Sequence, residues 1–189
     1  MLSGRLVSVL ILAVAAAATP FASGPGLADV DGFTFRGEPI HPKLVLEFEA
    51  WLSDDTPPIT TALDIAAAFD TNEYGEDVET TAGGFVRFMD GDGWYAYKPL
   101  GQMEDGTHVL HTEANGGGSG IFTNLVFVRL DEDKAMTPTG SSYTRVLMSV
   151  VGRFVLGDRD DASIQVLADR VVVGASRYRT SPTTLDFGR

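Results

Sequence analysis

Residues 108–130, HVLHTEANGGGSGIFTNLVFVRL, constrain the fold more strongly than any other part of the chain. They predict a strand, a glycine-rich turn and a second, long strand, because a run of glycines breaks a helix and accepts positive φ angles. Both alternate faces of residues 121–130 are mostly apolar, which is typical of a central strand in a sheet that is covered on both sides. We therefore expect Phe122, Val126 and Val128 to be buried.

The rest of the chain predicts a mainly β fold. Short apolar or aromatic segments alternate with turn-forming residues, which favours an antiparallel sheet in a sandwich- or barrel-like arrangement. The clearest hairpin surrounds the sequence DGDG at residues 90–93, since aromatic strands flank an Asp-Gly turn. The predicted strands are residues 32–36, 59–69, 85–89, 94–97, 107–112, 121–130, 143–156, 163–167 and 170–176, with polar loops at residues 70–84 and 131–142.

One short helix is predicted over residues 43–52, where apolar residues form a helical stripe and Pro42 suits a helix start. A strand is the alternative there, because residues 46–49 alternate equally well. Residues 143–156 also fit both patterns, and their β-branched content favours a strand. The short helix is therefore an accessory to a β-rich domain.

The N-terminus has the layout of a secretory signal peptide. A short, positively charged start precedes an apolar run at residues 6–18, and small residues and a proline follow it. The run is shorter than the ~20 apolar residues that a membrane span needs, and an uncleaved N-terminal anchor is the alternative. No cysteine is available there for a lipid anchor. We predict a signal peptide and the start of a linker at residues 1–28, cleaved after Ala18 or Ala28, and a single β-rich domain at residues 29–189.

Composition narrows the compartment and the chemistry. The chain has no cysteine, which fits a bacterial periplasm or exterior better than a disulfide-rich secretory route and excludes thiol catalysis, zinc–thiolate sites and iron–sulfur clusters. The formal net charge is −12, and it argues against partners such as nucleic acid or an anionic membrane surface. The simplest interpretation of the negative charge is that an acidic surface keeps the protein soluble. A more specific interpretation is that the charge attracts a basic partner or a divalent cation.

The glycine-rich run at residues 115–120 does not match the phosphate-binding loops. Neither Gly-Lys-Ser/Thr nor a helix follows it, and no basic residue occurs before Arg129. Ser119 likewise falls short of a nucleophile elbow, because Ile121 stands where the second glycine of that motif belongs. We interpret the run as a tight connection into the following strand.

Two groups of residues qualify as metal ligands by type. His108 and His111 are three apart, so on a strand they point to opposite faces, one half-buried and the other solvated, and share no metal ion. Asp90 and Asp92 offer the oxygen atoms that calcium prefers, although Gly101 replaces the glutamate that an EF-hand loop requires. They are therefore candidate ligands of a looser calcium site, in competition with a plain hairpin turn.

Four motifs resemble those of a group of bacterial exported proteins. They are GEPIHP at residues 37–42, WLSD at residues 51–54, HVLHT to GGGSGIF at residues 108–122, and LGDR at residues 156–159. The resemblance covers residues 37–173. It implies an export signal and one β-rich domain, and it brings no catalytic residue with it.

These observations predict a periplasmic or secreted, non-enzymatic domain that binds a protein or an envelope component. One alternative is a hydrolase of an envelope glycan or ester, which uses carboxylates or Ser119 with a histidine. Another is a structural module stabilised by calcium. We expect no nucleic-acid partner and no membrane span after signal cleavage.

Overall fold

The structure is a computed structural model that describes residues 30–49, 59–71 and 78–187. Among these described residues, strands account for 55% and helices for 9%, so the prediction of a mainly β, antiparallel fold is confirmed. The strands are β1 (Val30–Asp31), β2 (Thr34–Phe35), β3 (Glu38–Pro39), β4 (Ala62–Asp64), β5 (Glu79–Thr80), β6 (Val86–Asp90), β7 (Gly93–Gln102), β8 (His108–Asn115), β9 (Phe122–Met136), β10 (Ser142–Asp158), β11 (Ile164–Val166), β12 (Arg170–Val173) and β13 (Thr183–Asp186); the helices are α1 (Pro42–Leu46) and α2 (Ile65–Thr71).

A seven-stranded antiparallel sheet forms the centre, in the order β4-β10-β9-β8-β7-β6-β5. Strand β9 lies between β10 and β8, as the apolar pattern predicts. Val126 and Val128 are fully buried, but Phe122 is 53% exposed, so its predicted burial is wrong. Phe122 is the first residue of β9 and lies at the end of the sheet, whereas the covering layers pack over the middle of the strand.

Both faces of the sheet are covered where β9 crosses it. Helices α1 and α2 pack with strands β1–β3 on one face, which we call the helical side, and strands β11–β13 pack on part of the other, the C-terminal side. Each large apolar side chain buried in this way contributes roughly 1.5–3 kcal/mol. The helical-side core includes Phe35, Val45, Phe48, Ile65, Tyr97, Leu110, Val126 and Met148. The C-terminal-side core comprises Met103, Val109, Leu125, Phe127, Leu156, Val171 and Val173.

Residues 59–69 are not the single strand that their alternation predicts. They contain the short strand β4 and most of helix α2. Asp64 lies just before this helix, and its Oδ1 accepts a hydrogen bond from the Ala67 amide at 3.1 Å, which satisfies a free N–H of the first turn. The alanines that follow have the highest helix propensity of all residues, so this segment forms a helix although its alternating apolar residues predict a strand.

Residues 131–142 are mostly strand and not the polar loop that the sequence predicts. Strands β9 and β10 continue as a two-stranded ribbon beyond the rest of the sheet, and only residues 137–141 form the turn. Most residues of the ribbon are exposed, so its pairs are polar, such as the ion pair between Arg145 and Asp133 with an N–O distance of 2.6 Å. The polar residues of this segment therefore belong to exposed strands and not to a loop.

The predicted helix at residues 43–52 is present but shorter. It starts at Pro42, and the His41 Nδ1 atom accepts a hydrogen bond from the Lys43 amide at 3.1 Å as its N-cap. It ends at Leu46, and the rest of the predicted span from residue 50 onward lies outside the described residues.

Residues 143–156, whose sequence fits both a helix and a strand, form a strand and belong to β10. The predicted hairpin of residues 163–176 is also present, as β11 and β12. Across the described ranges, no helix has the length and apolar character needed to cross a membrane.

Candidate functional site

Glu49 is held over the sheet by the segment that follows α1. Leu44, Val45 and Phe48 are buried in the helical-side core and fix this segment to the sheet. The Glu49 residue as a whole is half-buried, whereas its carboxyl group lies deep against strands β7, β8 and β9. The apolar residues around it therefore place an ionisable group inside the core.

Three side chains from adjacent strands donate hydrogen bonds to this carboxyl group. The Tyr95 hydroxyl donates to Oε1 at 2.8 Å, the Thr112 hydroxyl also donates to Oε1, and the Asn124 amide donates to Oε2 at 2.8 Å. Thr112 is fully buried and Tyr95 is 2% exposed. Both carboxyl oxygens are thus satisfied without water.

The strand register explains why these side chains meet. Thr112 of β8 pairs directly with Asn124 of β9 and with Tyr97 of β7, which places Tyr95 one diagonal step away on the same face. In β10 the register shifts between Val150 and Gly152, and Arg153 then pairs with Val126, so its electrostatic attraction reaches Glu49 from the fourth strand. We call Tyr95, Thr112, Asn124 and Arg153 the polar row.

Burial dominates the electrostatics of the site. Loss of water raises the pKa of Glu49 above its ordinary value, while the bonds from Thr112, Tyr95 and Asn124 and the charge of Arg153 act in the opposite direction. Burial also raises the pKa of Tyr95, and the neighbouring Glu49 raises it further. Tyr95 is therefore a permanent donor to Glu49 in the accessible pH range.

A cleft of about 360 Å³ adjoins the polar row at the end of the sheet where β6 turns into β7. Tyr95 belongs to both, because its hydroxyl contacts Glu49 and its surface lines the cleft. Among the described residues, the lining of the cleft has two carboxyl groups and no basic side chain. Its lining residues are Leu46, Asp90, Asp92, Gly93, Trp94, Tyr95, Ala114, Asn115 and Gly116.

Trp94 and Tyr95 contribute to the cleft from opposite faces of β7. Tyr95 packs in the helical-side core. Trp94 lies on the other face, half-buried, with the Arg87 guanidinium 5.7 Å from its ring centroid.

The glycine-rich run borders the cleft and is folded around Asn115. The Asn115 side-chain Nδ2 donates to the carbonyls of Gly118 at 2.9 Å and Gly120 at 2.7 Å, and its side-chain Oδ1 accepts from the Gly117 backbone amide at 2.8 Å. Gly93 packs against this loop so closely that an added Cβ would lie 2.3 Å from the Asn115 carbonyl oxygen. The run is a tight connection between β8 and β9, as predicted.

His108 and His111 lie on opposite faces of β8, as predicted. His108 contacts the Phe33 ring on the helical side at 5.4 Å, and His111 contacts the Phe85 ring on the other side at 5.5 Å. Neither is solvated: His108 is 7% exposed and His111 is half-buried, since neighbouring side chains cover both faces of β8. The prediction of one solvated histidine is therefore wrong.

Ser119 is exposed in the glycine-rich loop. His108 Nε2 contacts the Gln102 side-chain amide at 3.1 Å, and the buried His111 Nε2 has no hydrogen-bond partner among the residues that the structure describes. Within the described part of the chain, Ser119 and the two histidines are thus not joined by a hydrogen bond through Nε2.

Asp90 and Asp92 are exposed and line the same cleft. Among residues 30–49, 59–71 and 78–187, no three Asp, Glu or His side chains are grouped closely enough to hold a metal ion. Calcium binding by this pair stays a prediction.

Sequence reasoning missed Glu49, Thr112 and Asn124. One feature of the sequence does point to Asn124: it is a polar residue on the same strand face as the apolar Val126 and Val128. A lone polar residue on a buried face needs a partner, and here the partner comes from a segment 75 residues away in the chain.

Strand pairing and the polar row define this chain as an antiparallel β protein with a buried carboxyl group beside an open cleft. No family model, no curated protein and no solved structure matches it.

Proposed function

We propose that this protein is a non-enzymatic binding domain, periplasmic or secreted, and that the cleft beside Tyr95 is where it binds a protein or an envelope component. The observation that carries the proposal is the cleft itself, in which aromatic and apolar residues and two carboxyl groups meet at the end of a well-packed sheet. The volume of the cleft lies in the range of ligand pockets, which combine apolar and aromatic walls with a few polar groups.

The hydrogen bonds of the polar row favour a binding function over a catalytic one. Both oxygens of Glu49 already have donors, so the group is committed to the fold and needs no substrate to satisfy it. The exposed Asp90 and Asp92 are available to accept hydrogen bonds from a ligand, and Trp94 provides an aromatic surface.

Co-sedimentation with isolated bacterial envelope tests the proposal. The wild-type protein is expected to bind, and Trp94→Ala is expected to weaken binding about tenfold or more, as loss of a central aromatic contact does. Met89→Ala is the matched control, because Met89 pairs with Trp94 across β6 and β7, is 55% exposed and lies outside the cleft lining. Equal binding by wild type and Trp94→Ala would contradict the proposal.

The raised pKa of Glu49 favours a second candidate, a hydrolase of an envelope glycan or ester. A buried carboxyl group that keeps its proton to higher pH suits a general acid, and Tyr95 connects it to the cleft. Assays with peptidoglycan and with chromogenic esters test this candidate: activity that Glu49→Gln abolishes and Glu47→Gln leaves intact supports it. Glu47 is exposed and two residues away, so it controls for charge.

A further inference from the structure

We propose that the polar row is a carboxyl-binding site, which the intact protein fills with its own Glu49 and which accepts a small aliphatic carboxylic acid in its place once the Glu49 side chain is removed. This inference concerns the core beneath the cleft, and it holds whether or not the cleft binds an envelope component.

The donors of the row are built into the sheet independently of Glu49. Tyr95, Thr112 and Asn124 belong to β7, β8 and β9, whose pairing fixes their positions. Glu49 comes from outside the sheet, three residues beyond the end of α1. The row is thus a preformed receptor and Glu49 is its tethered ligand, held at a high effective concentration by the chain.

The donor set selects a carboxyl group. Two hydroxyls and an amide converge on two oxygen atoms, and the positive charge of Arg153 lies on the same side. An apolar side chain in place of Glu49 would leave these donors without acceptors, which is the costly state for buried polar groups. Any ligand that restores two adjacent oxygen atoms relieves that cost.

The test is rescue by a ligand that replaces the missing atoms. Glu49→Ala removes a methylene and a carboxyl group, which together have the size of acetate, and Glu49→Gly removes one carbon more, the size of propionate. At about pH 5, part of the acetate is present as the protonated acid that a buried site favours. At 100 mM ligand and a dissociation constant of about 10 mM, acetate is then expected to raise the Tm of Glu49→Ala by about 3–6 °C over chloride at equal ionic strength. Glu49→Gly is expected to prefer propionate.

Two proteins serve as controls in the same measurement. The wild type is expected to show no acetate-specific shift, because Glu49 occupies the site. Glu47→Ala is expected to show none either, since Glu47 is exposed near the same helix end. A folded Glu49→Ala protein without an acetate-specific shift, or equal shifts in all three proteins, would overturn the proposal.

A conservative variant keeps the proposal testable even where Glu49→Ala fails to fold. Thr112→Val removes one donor and retains the shape of the side chain, so the pH at which Glu49 titrates in carboxyl-carbon NMR is expected to rise. Thr144→Val is the control, because Thr144 accepts a hydrogen bond from Lys134 far out on the ribbon. An unchanged titration of Glu49 in Thr112→Val shows that the row does not recognise the carboxyl group and refutes the proposal.

Discussion

Glu49 makes the stability of the fold depend on pH. A carboxyl group whose pKa is higher in the folded than in the unfolded chain stabilises the fold fully while both states hold the proton, and this contribution is lost as the pH rises. For Glu49 the loss begins near its ordinary pKa of 4.5 and is complete above its raised folded pKa. Desolvation of the charged form is the cause, and it outweighs the three donated hydrogen bonds and Arg153.

Glu49→Gln is expected to remove this pH dependence. The free energy of unfolding of the wild type, minus that of Glu49→Gln, should fall as the pH rises from 4 to 8, because only the glutamate becomes charged in the core. Urea unfolding at several pH values measures it, and the difference cancels the titration of all other groups. A difference that increases with pH would show that the pKa of Glu49 is lowered and not raised.

At the scale of elements, the hairpin of β7 and β8 depends on the absence of a side chain at Gly93. A Cβ there would lie 2.3 Å from the Asn115 carbonyl oxygen, which is backbone and cannot rotate away. Gly93→Ala is therefore expected to cost about 1–3 kcal/mol, as overpacking does.

Gly116→Ala is the matched control for this substitution. It lies in the adjacent loop, and an added Cβ meets no atom within 4 Å. Its cost is expected to stay within about 0.5 kcal/mol. Equal destabilisation by the two variants in denaturant unfolding would contradict the close approach at Gly93.

The middle of strand β9 is buried and its first residue is exposed, so substitutions of Phe127 and Phe122 are expected to differ in cost. Phe127 is fully buried and packs on Phe187 with ring centroids 4.2 Å apart, so Phe127→Ala is expected to cost about 3–5 kcal/mol. Phe122→Ala is expected to cost less than about 1 kcal/mol, because Phe122 is 53% exposed. Thermal or urea unfolding of both proteins measures the contrast, and similar losses would mean that Phe122 is covered.

At the scale of the whole molecule, the calcium prediction for Asp90 and Asp92 concerns overall stability. A ligand that binds only the folded state adds about 2.7 kcal/mol at a hundredfold excess over its dissociation constant. Millimolar calcium is then expected to raise the Tm by several degrees over protein in chelator, and Asp92→Asn is expected to reduce the rise. Identical melting with calcium and with chelator would remove the calcium-stabilised module from consideration.

Export is the second expectation for the whole chain. Residues 1–29 lie outside the described residues, so the signal peptide stays a prediction from sequence. Expression of the full chain in a bacterium is expected to yield a processed protein whose N-terminal sequencing begins at Thr19 or Asp29. An unprocessed protein in the cytoplasm would contradict both the signal peptide and the proposed location.

The sequence by itself determined the strands that carry the core. The apolar character of both faces of β9, the Asp-Gly turn between β6 and β7 and the glycine connection before β9 are local patterns, and local patterns fix local structure. The predictions from local pattern were wrong at α2, where an alternating sequence forms a helix. They were also wrong at residues 131–136, where polar residues belong to an exposed ribbon and not to a loop.

Only the tertiary structure decided where the polar residues meet. Glu49 reaches Thr112 and Asn124 across 63 and 75 residues of chain, and no spacing in the sequence encodes such a contact. Strand order and register bring the donors together, and packing of the α1 segment places the acceptor among them. The sequence shows that Asn124 lies on an apolar face, whereas the partner that satisfies it depends on the long-range pairing of the whole sheet.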